Sequence, residues 1–331
     1  MGGAALVGRA VRGRGYSLRD KYVVVAGGSR GLGLELAREF ARRGAHVGLL
    51  ARDAQKLRAA ANEVAEAGGD RVAVLTRAVD LRDPEATETA IDELATELGG
   101  IDVLVNLAGT ITVAPLKHLR LEDFREQMDS NFYTSLHATL AALPHLRRSP
   151  GARIVNITSI GGHFAVPHLL PYSAAKFAMV GFSTGLRAEL ARDGITVTTV
   201  TPGLMRTGSP YHASFKGQQE REFRWFLLMD SLPGLSISSQ RAARSIVDAC
   251  VRGDASLVVP AYLRIPIAAT GLAPGLVNRL TTAANMLLPS PAPGGDAAHS
   301  GQELISPERT PAYAALTRRA AYRNNQFEGK S

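Results

Sequence analysis

Tyr172 and Lys176 stand four residues apart in the stretch Tyr172-Ser173-Ala174-Ala175-Lys176. On a helix that spacing places both side chains on one face, one above the other. A free phenol titrates at about pH 10 and holds its proton too tightly to act as a base at neutrality. A nearby ammonium favours the phenolate and lowers that value. The pair therefore has the makings of a general acid/base. Tyrosine and lysine also fall four apart by chance in many helices, so the pair alone decides nothing.

A second stretch suggests what such a base would serve. Ala26-Gly27-Gly28-Ser29-Arg30-Gly31-Leu32-Gly33 lies between a β-branched run and an amphipathic one. Glycines let a backbone turn tightly and approach a pyrophosphate, and a helix N-terminus offers free N–H groups and a positive dipole end. The pattern is Gly-x-x-x-Gly-x-Gly rather than Gly-x-Gly-x-x-Gly, and its place after a first strand points to dinucleotide binding. At the end of the second strand an acid would bind the ribose hydroxyls of NAD, whereas an arginine accommodates the 2′-phosphate of NADP. Here that strand ends Leu50-Ala51-Arg52-Asp53. Arg52, with Arg30 inside the loop, makes NADP(H) the expected cofactor. The competing reading has Arg52 facing solvent and Asp53 capping the next helix.

The elements that must position these residues alternate. Strands are expected over 21–28, 45–51, 71–79, 101–109, 152–159, 194–203 and 256–260, and helices over 31–44, 53–67, 84–98, 121–146, 172–192 and 241–251. Such alternation demands parallel strands, right-handed crossovers and helices on both faces of a seven-stranded, doubly wound α/β sheet. Ligands bind outside the carboxyl ends of such strands, where most of the candidate residues fall.

Together the glycine turn, Asn106-Leu107-Ala108-Gly109 after the fourth strand and Tyr172-Ser173-Ala174-Ala175-Lys176 resemble the short-chain dehydrogenase/reductase family over roughly residues 20–260. The resemblance implies a Rossmann fold of the shorter, non-extended branch. It makes Tyr172 the general acid/base and gives Lys176 the tasks of lowering its pKa and bonding the nicotinamide ribose. Ser159, thirteen residues before Tyr172, would hydrogen-bond the substrate oxygen, and Asn131 would hold a relay water. Gly27, Ser29, Arg30, Gly31, Leu32, Gly33 and Arg52 would bind the cofactor. So would Asp80 and Leu81 near the adenine, Asn106, Ala108 and Gly109 after the fourth strand, Tyr172 and Lys176 themselves, and Pro202, Gly203 and Thr207 beside the nicotinamide. Ala26 and Leu107 depart from the usual threonine and the commoner asparagine or alanine, at positions that support backbone.

The bulk composition narrows the alternatives. The chain has 331 residues, 45% hydrophobic and 21% charged, with a formal net charge of +8. No block of basic residues marks a nucleic-acid surface. One cysteine, Cys250, allows no internal disulfide and no multi-cysteine metal site; it suits core packing and a reducing, cytoplasmic setting. No metal site is expected. Residues 1–19 read as a basic flexible lead without a signal-peptide core. Residues 20–260 read as the catalytic domain, with a lid at about 208–240 whose aromatic residues either greet an apolar substrate or pack on the sheet. His163 and His168 read as pocket wall.

Residues 261–331 read as an extension: an apolar segment over 260–289, a Pro/Gly/Ala linker over 289–302 and a terminal helix within 306–326. The apolar segment suits a membrane surface, a pocket cover or a neighbouring subunit, and no spanning helix is expected. The expected function is NADP(H)-dependent interconversion of a ketone or aldehyde and an alcohol on a hydrophobic, fairly large small-molecule substrate, in a homodimer or homotetramer by resemblance. A 3-oxoacyl thioester reductase and a non-catalytic NADP(H)-sensing module are the alternatives.

Overall fold

The computed structural model describes residues 15–305 and 310–327. Most of the expected basic lead thus lies outside the described residues. Seven parallel strands form the central sheet: β1 (Tyr22–Ala26), β2 (His46–Ala51), β3 (Val74–Ala78), β4 (Val103–Asn106), β5 (Arg153–Ile157), β6 (Thr196–Pro202) and β7 (Ser256–Val259). Their spatial order is β7-β6-β5-β4-β1-β2-β3. The order reverses between β1 and β4, so a crevice opens at their carboxyl ends, as expected for a doubly wound sheet.

The inner strands β1, β2 and β4 are largely apolar on both faces because helices cover both. Val23 and Val25 join one core cluster, with Leu36 and Phe40 of α1 (Gly31–Arg42), Leu57 of α2 (Ala54–Gly68) and Ile246 of a helix at Ser239–Arg252. Val24 and Ala26 point to the other face and join Ile91 and Leu94 of α3 (Pro84–Leu98). That alternation is the two-residue period of a strand. Phe40 is fully buried, so Phe40→Ala would remove about 3–5 kcal/mol of stability. Local signals set the helix ends. Asp83 accepts from the Ala86 N–H and Pro84 fills the first turn of α3, while Gly99 ends it in a left-handed conformation at φ +96°.

One expected element changes character. The helix expected over 121–146 is α4 (Leu121–Met128) and α5 (Thr134–Leu146), joined by a π-helical turn at Asp129–Tyr133. Such a turn inserts a residue into the α-helical ladder and commonly marks a functional site. Asn131 sits in it, and its side-chain amide donates to the carbonyls of Thr110 (3.0 Å) and Gln127 (3.2 Å).

Beyond the sheet stand α6 (Leu170–Glu189), the lid helix α7 (Gln219–Ser231), α8 (Ser239–Arg252), α9 (Arg264–Leu272), α10 (Pro274–Asn285) and α11 (Ala315–Arg323). The stretch expected as a linker contributes structure: His299–Ser300 pairs antiparallel with Ser214–Phe215, which pairs parallel with Thr112–Val113. Within the expected 306–326 a short terminal helix spans Ala315–Arg323; residues 306–309 lie outside the described residues. Cys250 is buried in the core, and burial pushes its thiol up to about 12.

Candidate active site

β1 ends at Ala26 and the chain turns at Gly27, where φ is +100°. A Cβ on Gly27 would stand 3.0 Å from the Ala108 backbone, and one on Gly33 would stand 2.1 Å from the Gly27 carbonyl oxygen. Only bare backbone allows β1, β4 and α1 to meet this closely. The first turn of α1 then aims its orphan N–H groups into the crevice.

That crevice is a cavity of about 780 Å³. Asn131, Ser159, Tyr172 and Lys176 all line it. So do Gly27, Ser29, Arg30, Gly31, Leu32, Arg52, Asp80, Leu81, Ala108, Gly109, Pro202, Gly203 and Thr207. Gly33 and Asn106 stand outside the lining. Gly33 serves the turn, as its contact with Gly27 shows. Asn106 serves the interior: its side-chain amide donates to Thr139 and Asn156, both at 2.9 Å. Asn156 in turn donates to Ser183 at 3.0 Å, so this polar chain ties β4 and β5 to α5 and α6.

Ser159 follows β5, and its hydroxyl accepts from the Gly161 N–H at 3.1 Å. A Cβ on Gly161 would lie 3.5 Å from the Tyr172 ring and 3.6 Å from the Ser159 hydroxyl, so the two side chains converge over that glycine, and Ser159 lowers the Tyr172 pKa. One helical turn on, the Lys176 Nζ lies 5.6 Å from the centre of the Tyr172 ring and donates to the Ile157 carbonyl at 3.4 Å. Burial pushes the Lys176 ammonium down to about 8. Burial pushes the Tyr172 hydroxyl up, and Ser159 only partly offsets this. The expected lowering by Lys176 is not among the causes: desolvation of the phenolate dominates, and only Ser159 opposes it. Asn131 approaches so closely that a Cβ on Gly109 would lie 2.3 Å from its Oδ1.

A family model described as short chain dehydrogenase matches residues 21–214. The chain belongs to the short-chain dehydrogenase family. A protein of Sesamum indicum named 11-beta-hydroxysteroid dehydrogenase A is 34% identical over 252 residues, covering 74% of this chain and 70% of that protein. An Arabidopsis thaliana protein named 11-beta-hydroxysteroid dehydrogenase-like 4A is 31% identical, covering 78% and 83%. Among solved structures, the L-sorbose reductase of Gluconobacter frateurii, complexed with NADPH and L-sorbose, superposes with a TM-score of 0.65 at 26% identity, covering 73% of this chain and 96% of that one.

As a short-chain dehydrogenase, the chain is an oxidoreductase of alcohol and carbonyl groups that uses a nicotinamide dinucleotide. The residues present fit that group. The glycine turn packs β1 closely against α1 and sets the N-terminal end of α1 at the cavity, where a pyrophosphate would meet backbone N–H groups. At the adenosine end, Arg30 is held below its ordinary value by burial and then by the charge of Arg52, so the two guanidiniums feel each other. Arg52 is exposed at the cavity rim. Asp53 caps α2, accepting from the N–H groups of Gln55 and Lys56 at 2.9 Å. Both features of the competing sequence reading are thus present, yet with Asp53 committed to the cap, two arginines remain facing the cavity. Asp80 is engaged by Arg82, whose Nε donates to both carboxylate oxygens at 3.0 Å.

The lid's aromatic residues divide. Tyr211, Phe215, Phe223 and Leu227 pack into a third core cluster apart from the central sheet, Trp225 and Met229 line the cavity, and Phe226 does both. His163 and His168 stand behind the wall rather than on it. His163 pairs with Thr201 at 2.9 Å, and His168 with Glu222 at 3.0 Å.

Sequence reasoning missed several lining residues with polar chemistry, among them His212, Asp230 and Gln326. Burial and the charge of Arg30 push His212 down to about 4. Burial pushes the Asp230 carboxyl up to about 8. No motif marks any of the three. The sequence offered only an acid within an apolar helix, at Asp230, as a signal.

Proposed function

We propose that this protein is an NADP(H)-dependent reductase or dehydrogenase of a hydrophobic secondary alcohol/ketone pair. The observation that carries this reading is the convergence of Ser159 and Tyr172 on the wall of a cavity that Trp225, Phe226 and Met229 also line. When bound, the dinucleotide supplies or accepts the hydride. Hydride arrival at a carbonyl builds negative charge on oxygen, and donors aimed there stabilise it. Ser159 donates to that oxygen, and Tyr172 gives it a proton. A hydroxyl kept protonated by burial suits the acid role, and oxidation runs the same proton backward. Lys176 bonds the nicotinamide ribose and keeps positive charge near the phenol. Asn131 holds the relay water.

The two cavity-facing arginines favour NADP(H), as does the NADPH in the sorbose reductase structure. The apolar lid and the hydroxysteroid dehydrogenase names of two plant relatives favour a bulky apolar substrate. Titration with NADPH and NADH, followed by turnover of bulky apolar and small polar ketones, tests both choices. Tighter NADPH binding and faster turnover of apolar ketones are expected. The reverse on either axis rejects that choice.

Two surface features extend the proposal. The pair α9–α10 exposes Ile265, Leu272 and Leu280 by 75%, 86% and 61%, and Leu287 beyond it by 88%. Its charges are Arg264 and Arg279, with no acid among them. Tyr262 and Leu263 at its root line the cavity. This hairpin rests on an anionic membrane surface and passes apolar substrate inward, as a peripheral contact on a cytoplasmic protein. No helix among the described residues is long and apolar enough to cross a membrane. Leu140 and Phe177, exposed on α5 and α6, mark the face through which a homodimer or homotetramer forms.

A further inference from the structure

The last described residues of the chain return to the glycine loop. The Asn324 carbonyl accepts from the Gly31 N–H at 2.9 Å, taking one first-turn donor of α1. Asn325, at φ +54°, donates its side-chain amide to the carbonyls of Ser29 (3.0 Å) and Lys56 (3.2 Å). The Gln326 carbonyl accepts from His212 Nε2 at 2.6 Å and from Gln302 Nε2 at 3.1 Å. Asn324 is 0% and Gln326 3% exposed. The contact is close enough to need glycine: a Cβ on Gly31 would stand 2.9 Å from Gln326 Nε2.

The Gln326 side chain is only half satisfied. Its Nε2 donates to the Thr207 carbonyl at 3.1 Å, but its buried Oε1 has no partner. Turning the amide over would set oxygen against the Thr207 oxygen, so the assignment is fixed by its neighbour. A buried acceptor left alone is costly and needs a reason. Gln326 lines the same cavity as Gly31 and Thr207. A donor brought into that cavity would supply the missing partner. A pyrophosphate has no donor; a ribose hydroxyl or the carboxamide N–H of a nicotinamide dinucleotide has one.

We infer that Gln326 is a cofactor-positioning residue, accepting a hydrogen bond from the bound dinucleotide, and that residues 324–326 clasp the glycine loop around it. The inference rests on dinucleotide binding and not on which dinucleotide binds. By linkage, what the tail adds to cofactor affinity the cofactor returns to tail docking.

The test uses the full chain: wild type, Gln326→Ala and Asn325→Gly, the last keeping the positive φ while losing both amide bonds. Each is titrated with NADPH and NADH by nucleotide fluorescence, and amide exchange of the tail is followed with and without nucleotide. Gln326→Ala is expected to weaken the preferred dinucleotide by about tenfold. Nucleotide should slow exchange at 324–326 in wild type and much less in Gln326→Ala, a coupling that a purely structural role would not lose. Asn325→Gly should weaken binding in the same sense. Unchanged affinity in either folded variant overturns the clasp, and tighter binding makes the tail a competitor instead. Preference for NADH alone contradicts the NADP(H) reading while the comparison is made with NADH; binding of neither overturns both.

Discussion

Tyr172 and Arg52 pose the residue-scale questions of proton and phosphate. Tyr172 sits between burial, which holds its proton on, and Ser159, which loosens it. Its spacing to Lys176 was legible in the sequence, but the balance was not, because burial is set by β5, α6 and the lid together. At the other end of the cavity, Arg30 and Arg52 face one region, beside Asp53, which caps α2 and still acts on Arg30. Arg52→Ala should weaken NADPH binding by about tenfold, the scale of one charge-assisted contact at a partly exposed site, and leave NADH nearly unchanged. Parallel titrations of both nucleotides check this. An equal loss for both would place the 2′-phosphate elsewhere.

At the scale of elements, the alternation of strand and helix was readable because most strands carry an apolar run and several helices, α2, α3 and α8 among them, carry a capping residue. Asp83 with Pro84 and Gly99 bounds α3 as the sequence suggests. The π turn at Asp129–Tyr133 was not readable, since its cause is tertiary: the Asn131 amide reaches the Thr110 carbonyl in the loop after β4. The lid divided for a similar reason, as helical periodicity cannot say which side of α7 meets the cavity. Asp230 on that helix has a further consequence. Its folded pKa is raised from 3.8 to about 8, so the folded chain keeps a proton that the unfolded chain releases. That contribution to stability is full below about pH 4 and is lost as pH rises through about 8. Asp230→Asn should therefore gain in melting temperature relative to wild type between pH 5 and pH 8 (both about these values). A difference that stays flat with pH would show that Asp230 is ionised in the fold.

At the scale of the whole molecule, the extension after β7 does two things that its composition only half disclosed. The apolar segment became a helix pair whose exposed face the sequence foresaw as a candidate interface. The final turn docks on the glycine loop, a contact between residues nearly the whole chain apart that no local pattern encodes. For the helix pair, Leu272→Glu should reduce co-sedimentation with anionic vesicles by about fivefold or more. The same substitution should leave turnover of a water-soluble ketone unchanged. Equal vesicle binding by wild type and variant would assign the face to a neighbouring subunit.

The central claim is that Tyr172 delivers the proton in NADPH-dependent carbonyl reduction. The direct measurement is NADPH oxidation with a bulky apolar ketone, wild type beside Tyr172→Phe, with NADPH binding measured on both. The account predicts turnover in wild type and a loss of about a hundredfold or more in Tyr172→Phe, with NADPH affinity within about threefold. Turnover that survives the substitution would contradict it.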